Sequence, residues 1–158
     1  ELNITYHCNL SCRACSHLSP VASEYYIDCN QLFYNLQKAA KVLHTKRIVL
    51  LGGEPLLHSN LIDIISIVKK SGITDKIQVL TNGINLNNMN KKFWDIVDEV
   101  CISCYPEIKQ FINSYITKQA NTRIFPLEFK NFRESYSEVG TEDKELIQRI
   151  YNTCQICS

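Results

Sequence analysis

No stretch of this sequence approaches the roughly 18 uninterrupted apolar residues of a membrane-spanning helix. Nothing at its start has the basic-then-apolar pattern of a secretory leader. Neither sign of charge is in excess: the formal net charge is +1, with basic and acidic residues interspersed. The electrostatic footprint of a nucleic-acid or anionic-membrane binder is therefore missing. Glycine is scarce, with five in 158 residues, and aliphatic runs are long, so the chain can bury a core without disulfide staples. Methionine is nearly absent: Met89 is the only one and the chain opens on Glu1, which leads us to expect a piece of a longer protein.

Against these absences stand eight cysteines. In a small secreted chain they would suggest a disulfide framework. In a chain with ordinary globular composition, 45% apolar and 21% charged, they point instead to metal binding or catalysis in a reducing cytoplasm.

The hydrophobic pattern alternates between strand and helix. Leu2 to Tyr6 reads as a strand, and the segment from Val21 to Ile27 has no clear period. Asp28 is a helix cap before Leu32, Phe33, Leu36, Ala39, Ala40 and Leu43, which recur at helical spacing. Arg47 to Leu51 is a buried-strand run, and Asn60 caps a helix whose inward stripe is Leu61, Ile64, Ile65 and Val68. Lys76 to Leu80 is the third strand, Asn90 to Asp98 a helix with Phe93, Trp94 and Val97 inward, and Val100 to Ser103 the fourth strand. Glu107 to Lys118 reads as another helix, Thr122 to Phe125 as a fifth strand closed by Pro126, and Glu142 to Tyr151 as a last helix. This rhythm predicts an α/β fold with a parallel sheet and right-handed crossovers.

In such sheets ligands bind beyond the carboxyl ends of the strands. Cys8, Cys12 and Cys15 follow the first strand at C-x3-C-x2-C spacing, and Gly52-Gly53-Glu54-Pro55 follows the second. Thr81-Asn82-Gly83 follows the third, and Ser103 closes the fourth. Thiolates are soft ligands for zinc, cuprous copper or iron–sulfur clusters. A structural zinc site usually takes four protein ligands, and here three thiols stand together. Three thiolates on a four-iron cluster leave one iron open. Missing Cβ atoms at Gly52 and Gly53 let a ligand approach the backbone, and the Glu54 carboxylate suits an ammonium group. The plain alternatives are a turn at Gly52–Pro55 and capping roles for Asn82, Ser103 and His17.

Together the cysteine triplet and the Gly-Gly-Glu-Pro stretch resemble the signature of radical S-adenosylmethionine (SAM) enzymes. The resemblance covers residues 1–126 and implies most of a partial (β/α)6 barrel. It leaves residues 127–158 as a C-terminal segment leading into an extension. It implies that Cys8, Cys12 and Cys15 hold a 4Fe-4S cluster. Gly52, Gly53, Glu54 and Pro55 would meet the amino group of SAM, with Asn82 and Ser103 as further cofactor contacts. Reductive cleavage of SAM would then give a 5′-deoxyadenosyl radical that takes hydrogen from a small molecule, sugar or peptide. An electron donor such as flavodoxin or ferredoxin is the implied partner.

A glycyl-radical-enzyme activase is the alternative within the family, and a non-catalytic zinc or iron–sulfur module the alternative outside it. Many members carry an aromatic residue before the third cysteine, where this chain has Ala14; His17 and Tyr6 are the nearest rings in sequence. Cys29 and Cys101 read as packing residues, and Cys104, expected just past the fourth strand, as packing or a hydrogen donor. Cys154 and Cys157 form a C-x2-C pair at iron–sulfur spacing. They resemble the start of a SPASM or twitch extension, which implies a second cluster once further ligands are supplied. Helix-end thiols without metal are the plain alternative.

Overall fold

Five short strands lie side by side in chain order in the computed structural model, which describes residues 1–12, 15–104, 122–128 and 142–153. They are β1 (Leu2–Thr5), β2 (Ile48–Gly52), β3 (Ile77–Thr81), β4 (Glu99–Cys104) and β5 (Arg123–Glu128). Every neighbouring pair is parallel. Helices α1 (Cys29–Ala39), α2 (Leu61–Ser71) and α3 (Lys91–Ile96) link the first four strands, and α4 (Lys144–Thr153) follows the fifth. An unbroken order of this kind arises when right-handed crossovers put successive helices on one face. The result is the wall of an open barrel.

Alternation along the strands sorts the two faces. Ile4, Ile48, Leu50, Ile77, Val79, Val100, Ile102 and Cys104 join one buried core with Leu32 and Leu36 of α1, the α2 stripe and Phe93 of α3. Each fully buried aliphatic or aromatic side chain contributes about 1.5–3 kcal/mol. The residues between them, including Leu51, Gln78, Glu99, Cys101 and Ser103, take the other face. Near its amino end that face carries a charged knot. The Glu99 side chain, 5% exposed, accepts hydrogen bonds from Arg47 at 3.0 Å and from Gln78 at 3.1 Å, and lies 3.5 Å from Lys76 Nζ.

Local chemistry accounts for the helix ends. Asp28 accepts from the Gln31 N–H at 2.8 Å and Asn90 from the Phe93 N–H at 3.1 Å, as expected of N-caps. Asn60 occupies the cap position of α2, but its side chain makes no capping bond. Gly72 closes α2 in the left-handed conformation, φ 68°. The helix α1 stops at Ala39, so Leu43 loses its helical phase and is exposed, and Phe33 also points outward. Trp94 is half-buried and packs edge-on against Phe93, with centroids 5.0 Å apart.

Three expectations change at the strands. Residues 25–27 lie antiparallel along the outer edge of β1, with Tyr6 N–H to Tyr25 O at 3.1 Å and Ile27 N–H to Ile4 O at 2.9 Å. This covers an edge that would otherwise be open. The fourth strand includes Cys104, so that residue is not past its end. The fifth continues through Pro126 to Glu128. It is the outer strand among the described residues, where a proline's missing donor is tolerated. The helix expected over 107–118 and the pair Cys154 and Cys157 lie outside the described residues.

Candidate functional site

The site begins where β1 hands over to the cysteine loop. Hydrogen bonds continue the strand pairing past the end of the sheet: Gly53 N–H to Thr5 O and Glu54 N–H to His7 O, both 2.8 Å. A Cβ on Gly52, whose φ is 152°, would collide with the Thr5 carbonyl, and one on Gly53 would sit 2.7 Å from Tyr6 O and clash with His7 O. The chain's own backbone thus requires both glycines, ahead of any ligand. They let the cysteine loop leave β1 directly across β2.

Glu54 is 1% exposed. Its Oε1 accepts from the Leu56 N–H at 3.0 Å and the Thr81 hydroxyl at 2.7 Å, and its Oε2 accepts from the Asn82 N–H at 2.8 Å. Burial pushes its pKa up, against the three hydrogen bonds that hold it down. It also caps the short 3-10 turn Pro55–Leu57. Thr81, which the sequence places at the end of the third strand without a role, donates to Glu54 and accepts from the Gly83 N–H at 2.9 Å. Its signal in the sequence is its place in the Thr81-Asn82-Gly83 stretch that ends the third strand.

Asn82 is buried, and its side chain reaches the cysteine loop: Nδ2 donates to Asn9 Oδ1 at 2.8 Å. Sequence reasoning missed Asn9. Ser103 is buried on the sheet face away from the helices, at the same end of the sheet. Cys104 takes the opposite face and packs in the core, its thiol donating to Ile102 O at 3.6 Å. That alternation turns it from the face that carries Ser103. Cys101 is buried and Cys29 packs against the core.

Cys8, Cys12 and Cys15 are half-buried and outside any disulfide. The Leu10 N–H donates to Cys8 Sγ at 3.4 Å. Burial raises the Cys8 pKa most; Leu10 opposes it, and the nearby charges of Glu54 and Cys15 add to it. Among the described residues no three Cys, His, Asp or Glu side chains are gathered as a ready metal pocket. The donor set itself, three soft thiols on one short partly exposed loop, fits an iron–sulfur cluster. Tyr6 packs on Tyr25 with centroids 5.2 Å apart, and His17 lies 3.4 Å from Ser16 Oγ through Nδ1. Burial lowers the His17 pKa, with Glu1 opposing it. No helix among the described residues is long and apolar enough to cross a membrane.

Known proteins resemble this chain in sequence and in fold. A protein of Methanothermobacter marburgensis named "Probable GTP 3',8-cyclase" is 30% identical over 116 residues, 71% of this chain and 37% of that protein. The 7,8-dihydro-6-hydroxymethylpterin dimethyltransferase of Methanocaldococcus jannaschii is 31% identical over 94 residues, 57% of this chain and 18% of that one. A protein of the same archaeon named as a glycyl-radical enzyme activating enzyme is 27% identical over 123 residues, 77% of this chain and 45% of that one. The chain spans less than half the length of these curated relatives. The crystal structure of BtrN in complex with AdoMet and 2-DOIA shares the fold, with a TM-score of 0.60 at 16% identity, over 80% of this chain and 54% of that one. The family model described as the Radical SAM superfamily matches residues 2–104. That match runs from the first residue of β1 to the last of β4, takes in both motifs and the strands that join them, and makes this chain a member of the radical SAM superfamily.

Proposed function

We propose that this chain is the core of an enzyme that cleaves SAM reductively and uses the resulting radical on a small molecule, sugar or peptide. The observation that carries the reading is the join between the two motifs. Gly53 and Glu54 are hydrogen-bonded to the backbone on which Cys8 follows, so the thiols and the carboxylate occupy one rim. Cys8, Cys12 and Cys15 would hold a 4Fe-4S cluster, which when bound supplies one electron to the sulfonium of SAM. Glu54 and the carbonyls of the Gly52-Gly53 turn would receive the amino group of SAM, with Asn82 and Ser103 beside it. Leu51 and Cys101, on the sheet face away from the helices, would help keep water from the reacting carbon.

A flavodoxin or ferredoxin is the electron donor this chemistry calls for. The six described cysteines lie outside disulfides, and a reducing cytoplasm is the compartment that suits cluster-ligating thiols. A second reading, an activase acting on a protein loop, is favoured by the relative named as a glycyl-radical enzyme activating enzyme, which matches 77% of this chain.

The test is anaerobic reconstitution of the intact protein, followed by incubation with SAM and a reductant. Formation of 5′-deoxyadenosine is expected, and each of Cys8→Ala, Cys12→Ala and Cys15→Ala should abolish it. Near-wild-type cleavage by any of the three variants would overturn the ligand assignment. A colourless protein that binds zinc would favour the non-catalytic module.

A further inference from the structure

The amide of Asn82 is oriented without ambiguity. The Ile84 backbone N–H, which can only donate, lies 3.0 Å from one amide atom of Asn82. That atom is therefore Oδ1, and Nδ2 is turned the other way. There Nδ2 meets Asn9 at 2.8 Å, across 73 residues of sequence. Because Nδ2 only donates, Asn9 must present its oxygen. Asn82 itself is 6% exposed and is pinned a third time, by its backbone N–H on Glu54 Oε2 at 2.8 Å. Asn9 directly follows Cys8, its Oδ1 lies 4.0 Å from Cys8 Sγ, and the Leu10 N–H donates to the same sulfur at 3.4 Å. The rigid end of β3 is thereby tied to the first turn of the cysteine loop.

We propose that Asn82 is a positioning residue for that loop: through Asn9 it holds residues 8–10 in place before any cluster is bound. The inference rests on the reading of Cys8 as a cluster ligand and adds a role beyond contact with SAM. A loop ordered in advance loses less conformational freedom when its thiols are engaged. The opposite arrangement, a loop free of the sheet, would require the cluster to order it.

The direction of the bond supplies the test. Asn9→Asp keeps an acceptor for Nδ2, while Asn9→Leu removes it. Asn82→Ala removes the donor, which no flip of the Asn9 amide can replace. Hydrogen exchange of the amides of residues 8–12 is followed in the intact protein, before and after anaerobic iron–sulfur reconstitution, together with the rate of iron loss to a chelator.

Asn82→Ala and Asn9→Leu are expected to speed exchange in the loop about tenfold, the worth of one hydrogen bond. The amides of β3 and β4 should be unchanged, and Asn9→Asp should behave as wild type in exchange. Iron loss from Asn9→Leu should be faster than from the wild type. Wild-type loop exchange in Asn82→Ala, or equal acceleration by Asn9→Asp and Asn9→Leu, would overturn the proposal. Should Asn82→Ala fail to fold, the Asn9 pair carries the same contrast from an exposed residue. Should the wild type take up no iron, the cluster reading falls, and the exchange pattern alone still decides the tether.

Discussion

Both carboxylate oxygens of Glu54 are engaged inside the protein, Oε1 by Leu56 and Thr81 and Oε2 by Asn82. A carboxylate offers about four acceptor sites, so one remains for an ammonium group. Glu54→Gln would put an NH2 against either Oε1's two donors or the Asn82 N–H, donor against donor. We expect it to weaken SAM binding roughly ten- to a hundredfold, to cost about 1–3 kcal/mol of stability without any cofactor, and to spare the cluster. Unchanged affinity by calorimetric titration would remove Glu54 from the SAM site, and an unchanged urea midpoint would remove its structural role. Glu99 is the opposite electrostatic case. Burial raises its pKa, but the hydrogen bond and charge of Arg47, with Lys76 behind them, outweigh burial and leave it below the ordinary 4.5. An acid with a lowered folded-state pKa stabilises the fold above its unfolded pKa and loses that contribution as pH falls through the folded value. The wild type should therefore lose stability as pH drops below 4.5, and Glu99→Gln should show a flatter acid limb in denaturant melts across pH.

At the scale of elements, the tightest constraint is the exit of β1 across β2. Gly53→Ala must displace the carbonyls of Tyr6 and His7, which are backbone and cannot rotate away. The expected loss is about 1–3 kcal/mol, seen as a lower urea midpoint of the anaerobic protein without metal. Gly72→Ala is the control. A Cβ there meets nothing within 4 Å but inherits φ 68°, so only the left-handed backbone is penalised, at about 1 kcal/mol. Equal losses for the two would refute the steric account. What the sequence made legible follows the same local–distant divide. The stripe of α2, the Asp28 cap and the parallel alternation are properties of neighbours in sequence and are readable there, whereas Asn60, read as a cap, makes no capping bond. Phe33 was misplaced because period alone does not say how wide a buried stripe is. Pro126 reads as a stop in the sequence because being at a sheet edge is a tertiary property. The cysteine triplet and the Gly-Gly-Glu-Pro turn are local motifs, but what they touch is not. Thr81–Glu54 and Asn82–Asn9 are separated by 27 and 73 residues, and strand register brings them together.

Across the whole molecule, polarity is divided between the two ends of the sheet. The amino end of the face away from the helices is closed by Glu99 with Arg47, Lys76 and Gln78, and the carboxyl end carries the thiols, Glu54, Asn82 and Ser103. Five parallel strands form a wall that leaves β5 as the outer strand among the described residues, and the chain spans less than half the length of its curated relatives. Further covering of the carboxyl end is therefore expected from sequence outside the described strands, and the pair Cys154 and Cys157 lies in that direction along the chain. Two thiolates fall short of the four that a second cluster commonly takes. We propose that the intact protein adds at least two ligands to this pair and binds a second cluster over the mouth. Iron and sulfide counting on the reconstituted intact protein decides between the alternatives: about six to eight irons per chain are expected, and about four would reject the second cluster. Cys154→Ala combined with Cys157→Ala should lower the count by about two to four irons and leave the first cluster in place. A count unchanged by the double substitution would place any further cluster elsewhere in the chain.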